Sequence, residues 1–487
     1  ASYTLTRKYL QSGHVPPKSA IRTEEFVNYF KSGYPAPTET DLAIHVESAP
    51  SRFAHSNNVR LLKIGIKARE VTEARGPLAL TLLIDVSGSM RNGNRLGLVK
   101  DAIRTLLTAL RPDDSVAIVT FQSNAQVVLE PTAVARVDEI LSALSSLNAN
   151  GSTNLEGGLH LAYPLAERQF QKEGHNRVLI FSDGVANVGL TDPEGILNGI
   201  ADKRKQGIYL DSFGVGMGNH NDHLLEQLAD RGDGSCSYVD TLAEATRIFR
   251  KNLSGVFVTV AKDAKIQVEF DPKVVVAYRQ IGYENRAIAD KDFRNDAIDA
   301  GEVGAGHEVV ALYEIEMGPQ SKAASPAVVR LRYKSVGAGE GAAEVVELEK
   351  VVPTQAIADF DKAPDRFRLS AVVAAFADHL RDSYWARKGH LAEVIEETRS
   401  LTSLDTAEDK SVAELLTLMQ KAKTLIDQRP QFADFDRLLD ELKKNNYLRK
   451  RYEEVAQGDV KKLLEELEKQ NKDLEEQIKK LNESRPR

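Results

Sequence analysis

The sequence predicts an α/β fold class: a doubly wound parallel sheet inserted in a β-sandwich and followed by a helical C-terminal region. Three observations predict it. Within residues 76–255, short apolar runs alternate with amphipathic helical segments, the pattern of a parallel sheet covered by helices on both faces. On either side, at 41–75 and 256–355, the runs are short, β-rich and separated by Gly, Pro and Asp, so one sandwich is expected to flank the inserted unit. From Phe360 onward the periodicity turns helical. With an N-terminal helical segment at 1–40, a helical domain at 356–430 and a charged helical tail at 431–487, this divides the chain into five units, the sandwich being built from two stretches.

In chain order, the strands expected in the inserted unit are 78–85 (LALTLLID), 115–121, 177–183, 208–216 and 236–240. The first four are apolar runs of the length of a buried strand, and 236–240 (CSYVD) is a shorter one. Between the first two lies RLGLVKDAIRTLLTAL, where Leu96, Val99, Ile103, Leu106 and Leu110 recur at helical spacing on one face. VDEILSALSSL, NLEGGLHLAYPLAERQF, PEGILNGIADKRKQ and DHLLEQLAD provide further helices, each about the length of a right-handed crossover. The stretch SVGAGEGAAE at 335–344 reads as a flexible hairpin or loop. In the tail, Val460, Leu464, Leu467, Asn471, Leu474, Ile478 and Leu481 alternate spacings of four and three, the seam of a coiled coil with one polar position. A coiled coil that makes a homo-oligomer and a long helix laid on its own domain both fit this register.

Composition narrows the function classes. The formal charge of −7, from 64 basic and 71 acidic side chains over 487 residues, argues against a nucleic-acid surface. Cys236 stands alone, so no internal disulfide forms, and no Cys/His cluster has zinc spacing. The first residues carry no export signal, and no run of about 18 apolar residues occurs. The residues present read as soluble, with membrane anchoring outside them left open.

The chemistry concentrates where three expected strands or loops meet the carboxyl edge of the sheet, the place where open α/β sheets bind ligands. The first strand stops on Asp85 and is followed by Ser87 and Ser89; NANGSTNLEGG sets Thr153 in a Gly-flanked loop before a helix; FSDGVANVG puts Asp183 at the end of another apolar strand. Two carboxylates and three hydroxyls make an oxygen-only set suited to a hard divalent cation, magnesium or manganese ahead of calcium. If one carboxylate binds directly and hydroxyls supply the rest, the cation keeps much of its charge and seeks an anion from outside.

These residues resemble the metal-ion-dependent adhesion site of von Willebrand factor type A domains: D-x-S-x-S, a Thr in a second loop and an Asp in a third, matched by Asp85, Ser87, Ser89, Thr153 and Asp183. The resemblance implies a Rossmann-like domain in which the serines and the threonine coordinate the metal directly or through water and the aspartates complete the shell. It further implies that a Glu or Asp of a protein partner fills the remaining position. YLQSGHVPPKSAIRTEEFVNYFKSGYPAP, LLIDVSGSM, GVGMGNHNDHLLEQLAD and GHEVVALYEI are similar to a bacterial cell-envelope branch with an N-terminal extension and a C-terminal domain of unknown function, over roughly residues 2–425. That branch implies a periplasmic or surface location, with a cytoplasmic one as the alternative, and members often carry an export or lipoprotein signal. A strand normally precedes the stretch equivalent to Ala1-Ser2-Tyr3, so this chain is expected to start inside the branch's pattern. The tail after Pro430 departs from it. In related adhesion domains the last helix shifts between states, which makes TLAEATRIFRKNL a candidate for such movement.

Other motifs have plainer explanations. His220 and His223 lack a third ligand and read as loop and helix-start residues. Arg231-Gly232-Asp233 falls in an expected helix-to-strand turn, where Gly and Asp are ordinary. Cys236 reads as buried and inert, and Trp385 as core. No G-x-S-x-G elbow, phosphate loop or Cys/His pair occurs, and no base adjoins the oxygen cluster, so the expectation is a protein-binding module rather than an enzyme. An unrecognised metal-dependent hydrolase and a scaffold assembled through the tail are the alternatives.

Overall fold

The computed structural model describes residues 2–427 apart from 55–57, 72–75, 185–192, 217–221, 252, 284–292, 296–299, 319–323, 337–343, 387–390 and 408, together with 441–442, 444–445, 465 and 468–477. The chain opens with helices α1 (Ser2–Gln11) and α2 (Thr23–Tyr29), which meet through edge-on contacts of Tyr3 with Phe26 and Phe30 at 5.4 and 5.2 Å. Strands β1 (Leu42–Pro50) and β2 (Val59–Ala68) follow as an antiparallel pair.

The inserted unit begins at β3 (Leu78–Asp85), buried at all eight residues because helices cover both faces and strands flank both edges. It continues through α3 (Arg95–Leu107), β4 (Ser115–Phe121), β5 (Ala125–Ala133), α4 (Val137–Ser146), α5 (Leu155–Arg168), β6 (His175–Ser182), α6 (Pro193–Lys205), β7 (Ile208–Val215), α7 (Asp222–Arg231) and β8 (Cys236–Val239). The sheet order is β5-β4-β3-β6-β7-β8, parallel throughout except for β5, which runs antiparallel on β4. The purely parallel expectation is corrected there. β5 is an edge strand of mostly exposed or half-buried residues, so no apolar run announced it. The Leu96, Val99, Ile103 and Leu106 stripe of α3 is buried as expected, with Leu110 just past the helix end. Helix α5 lies so close to the sheet that a Cβ on Gly158 would come within 2.9 Å of Leu83 and 3.0 Å of Phe121.

After β8, the single helix expected at 241–253 is broken into α8 (Leu242–Thr246), a π-helical turn at Arg247–Lys251 and α9 (Leu253–Phe257). Six strands then complete the sandwich: β9 (Thr259–Phe270), β10 (Val275–Ile281), β11 (Gly301–Gly304), β12 (Glu308–Met317), β13 (Ala327–Ser335) and β14 (Val345–Val351). The sheets are ordered β1-β2-β12-β10 and β11-β9-β13-β14. β12 pairs with β2 from Glu308↔Lys67 to Glu316↔Val59, so strands from before and after the inserted unit share one sheet. Leu62, Ile64, Ile315 and Val329 fill part of the space between the sheets.

Helices α10 (Asp365–Leu380), α11 (Leu391–Ser400) and α12 (Ser411–Asp427) close the fold. Phe367, Phe376 and Leu415 from these helices join Tyr3 and Phe26 of the N-terminal helices and Leu61 and Leu312 of the sandwich in one core. The N-terminal segment therefore shares its core with the C-terminal helices. Of the tail's apolar seam, Asn471 and Leu474 lie on a described helix and are buried within the single chain; Val460, Leu464, Leu467, Ile478 and Leu481 lie outside the described residues. Among the described residues no helix is long and apolar enough to cross a membrane.

Candidate metal centre

The loops at the carboxyl edge are zipped together by backbone bonds before any side chain acts. Val86 N–H donates to Phe121 O (3.0 Å), Asn150 N–H to Val86 O (2.7 Å) and Gly88 N–H to Gly151 O (2.9 Å), which fastens the Ser87 turn to the loop carrying Thr153. Gly151 has a φ of +77° and a Cβ there would press on Ser123 Oγ at 2.7 Å, so the close approach requires glycine. Thr153 is buried, Asn154 caps α5 by accepting from Gly157 N–H at 2.9 Å, and among the described residues the Thr153 hydroxyl has no hydrogen-bond partner.

Asp85 is fully buried at the end of β3. Its Oδ1 accepts from Ser87 N–H (2.8 Å) and its Oδ2 from Ser182 Oγ (2.7 Å), while Ser182 Oγ accepts from Gly184 N–H (3.1 Å). The Ser87 and Ser89 hydroxyls face each other at 3.0 Å. Burial pushes the Asp85 carboxyl above its ordinary range, the Ser87 and Ser182 hydrogen bonds pull it back, and the nearby Asp183 charge pushes it up again. The Asp183 side chain is 1% exposed and accepts from Arg95 Nη1 at 2.5 Å. Asp85, Ser87, Ser89, Thr153 and Asp183 thus all lie at one sheet edge, where the hydroxyl pair, the Asp85 hydrogen bonds and the loop zipper hold four of them and Arg95 holds the fifth.

This donor set contains only oxygens, two of the five groups being carboxylates, and among the described residues no three His, Cys, Asp or Glu side chains cluster as a metal site. The chemistry of such a set suits a hard divalent cation better than zinc. Two residues that matter here escaped the sequence. Ser182 fixes Asp85, and its only signal was its place one residue before Asp183; Arg95 pairs with Asp183 from the first turn of α3, where the apolar stripe gives it no distinction.

The remaining candidates settle into structural roles. Gly232 N–H donates to Leu228 O and Gly234 N–H to Ala229 O, so Arg231-Gly232-Asp233 is the closing turn of α7, with Asp233 held by Arg204 at 2.7 Å. Cys236 is half-buried rather than buried, and desolvation pushes its thiol up to about 11, which leaves it unreactive at neutral pH. Trp385 is half-buried, with Arg279 and Lys444 each 4.5 Å from its ring centroid. His220 and the His223 side chain lie outside the described residues.

The chain matches family models described as von Willebrand factor type A domain at residues 80–185, von Willebrand factor at 1–63 and the C-terminal domain of Uncharacterized protein YfbK at 255–425. It is 39% identical over 341 residues to Uncharacterized protein YfbK of Escherichia coli, covering 68% of this chain and 58% of that protein. It is 29% identical over 220 residues to Uncharacterized protein sll0103 of Synechocystis, covering 45% and 51%. The chain therefore spans between half and three-fifths of the length of these curated relatives. A solved structure, von Willebrand factor type A from Catenulispora acidiphila, is 16% identical, with 85% of this chain and 91% of that chain covered at a TM-score of 0.42.

Proposed function

Because the chain belongs to the bacterial von Willebrand factor type A domain proteins that carry a YfbK-type C-terminal domain, we propose that it is a divalent-metal-dependent protein-binding module, adhesive or scaffolding and not enzymatic, that captures an acidic residue of a partner. Asp85, Ser87, Ser89, Thr153 and Asp183 are the residues that would hold the ion. A divalent cation, magnesium first with manganese or calcium as alternatives, would supply an open coordination position for a foreign Asp or Glu carboxylate. Asp85 supplies the buried negative charge, held in place by Ser87 N–H and Ser182 Oγ. Ser87, Ser89 and Thr153 supply neutral oxygens, and the sheet and its zipped loops keep them in place without the partner. The single observation that carries the proposal is this meeting of one fully buried, hydrogen-bonded carboxylate with a pair of facing hydroxyls at a ligand-binding sheet edge. Among the described residues both rim carboxylates are already engaged, Asp85 by Ser87 and Ser182 and Asp183 by Arg95, where a hydrolase needs an available general base. The cell envelope, periplasmic or surface-exposed, is the location we propose, on the sequence resemblance of residues 2–425.

Calorimetric titration of manganese or magnesium into the whole chain tests this. Wild type is expected to take up one ion, Asp85→Ala none while still unfolding cooperatively, and Thr153→Ala one ion more weakly. Wild-type protein that takes up no divalent ion would sink the proposal.

A further inference from the structure

We infer that Arg95 is a tethered counter-ion that occupies Asp183 and so keeps the rim one carboxylate short, which tunes it toward an anionic partner at the expense of its own hold on a cation. This rests on the metal-site reading above. Arg95 is the first residue of α3, directly after the turn that carries Ser89. Its Nη1 donates to Asp183 Oδ2 at 2.5 Å and lies 3.4 Å from Ser89 O, so one guanidinium touches two of the three polar clusters. The pair is shielded, with side chains 18% and 1% exposed, so water screens it little. The seat is shaped for it as well: at Gly216, which follows β7 with a φ of +96°, a Cβ would fall 2.2 Å from Arg95 Nε and 2.7 Å from its Cζ. Any side chain there would displace the guanidinium.

The charge count follows. With Arg95 on Asp183 that pair is neutral, the hydroxyls are neutral, and Asp85 alone is negative. A bound divalent cation is then left with one net positive charge, which one foreign carboxylate cancels. Without the guanidinium Asp183 adds its own charge, the ion is held harder, and the pull on an outside carboxylate falls. Arg95 is a positioning residue in this scheme, since it acts through Asp183.

Manganese titrations of full-length wild type, Arg95→Gln and Arg95→Lys, each with and without Asp183→Asn, test the inference. Arg95→Gln is expected to bind Mn2+ on the order of tenfold more tightly than wild type, Arg95→Lys to stay within about twofold, and the gain to vanish when Asp183→Asn is added, as a double-mutant cycle requires. Thermal unfolding provides a second readout: chelated Arg95→Gln should melt below wild type because Asp183 loses its guanidinium, and saturating Mn2+ should close that gap. A purely structural ion pair would lower the melting temperature without tightening the metal. Should Arg95→Gln not fold, Gly216→Ala, which pushes the guanidinium from its seat, is expected to tighten Mn2+ in the same direction. Wild type that binds Mn2+ with a folded Arg95→Gln or Gly216→Ala no tighter overturns this inference alone. No Mn2+ uptake by wild type or either variant overturns the metal site with it. Uptake by Arg95→Gln but not by wild type overturns the inference as well, since the wild-type rim would then hold no ion for Arg95 to tune.

Discussion

At the rim Asp183 pairs with Arg95 and Asp85 is held by Ser87 N–H and Ser182 Oγ, whereas Asp240, Glu244 and Glu414, from the end of β8 and from α8 and α12, converge on Arg7 of α1. Arg7 bonds both oxygens of Asp240 at 2.5 and 2.8 Å, reaches Glu244 at 3.1 Å and Glu414 at 3.0 Å, and donates to Tyr29 Oη at 3.0 Å. Arg247 pairs with Glu244 and covers the Tyr29 ring at 4.5 Å. The junction is filled from inside the chain, with the Arg7 side chain 5% exposed. At the rim, by contrast, hydroxyls face one another and Thr153 is left without a partner among the described residues. The same residue types thus sit in two settings. At the junction two arginines bind three carboxylates drawn from distant segments and fasten them together. At the rim neutral hydroxyls lie beside the carboxylates, the arrangement on which the proposed ion site rests.

The largest effect should come from breaking the filled site. Arg7→Met strands the Asp240 charge and leaves Glu244 with Arg247 alone in a space with almost no water, and removal of one partner from such a buried set costs about 3–5 kcal/mol. The expected outcome is a fall of that size in unfolding free energy by denaturant titration, with manganese affinity little changed because the partners of Arg7 are Asp240, Glu244, Glu414 and Tyr29 and not the rim residues. An equal loss from Asp183→Asn would erase the distinction between the two regions.

The contrast also explains what could be read in advance. Strands β3, β4, β6 and β7 were legible because burial on both faces forces continuous apolar runs, the short edge strand β8 by its place after the last helix of the alternation, and the five rim positions because their spacing puts each one at a strand end or loop. β5 was not, since an edge strand need not be apolar. Nor was the break at Arg247–Lys251, where the helical pattern continues while the bonding shifts register. Arg7 was invisible for another reason: its partners lie 233, 237 and 407 positions away, and a long-range ion pair leaves no local periodicity. Ser182 and Arg95 act by holding Asp85 and Asp183, so a motif made of the rim oxygens passes over them even though Ser182 adjoins Asp183 in sequence.

A smaller effect sharpens the comparison through pH. Burial alone would raise the Glu244 carboxyl, but Arg247 and Arg7 overcome it and hold it below the ordinary carboxylate range. A carboxyl depressed in the folded state contributes stability that is present above its unfolded value, about 4.3, and that is lost as pH falls through the lower folded value. Asp85 in the cation-free protein runs the other way, since burial raises it. Glu244→Gln should therefore be less stable than wild type at neutral pH, and the difference should shrink steadily below about pH 4 as the wild-type carboxyl takes up its proton. Unfolding free energies measured in chelator from pH 3 to 7 check this. A difference independent of pH would mean that Glu244 contributes shape rather than charge, and that the junction is not fastened by its arginines.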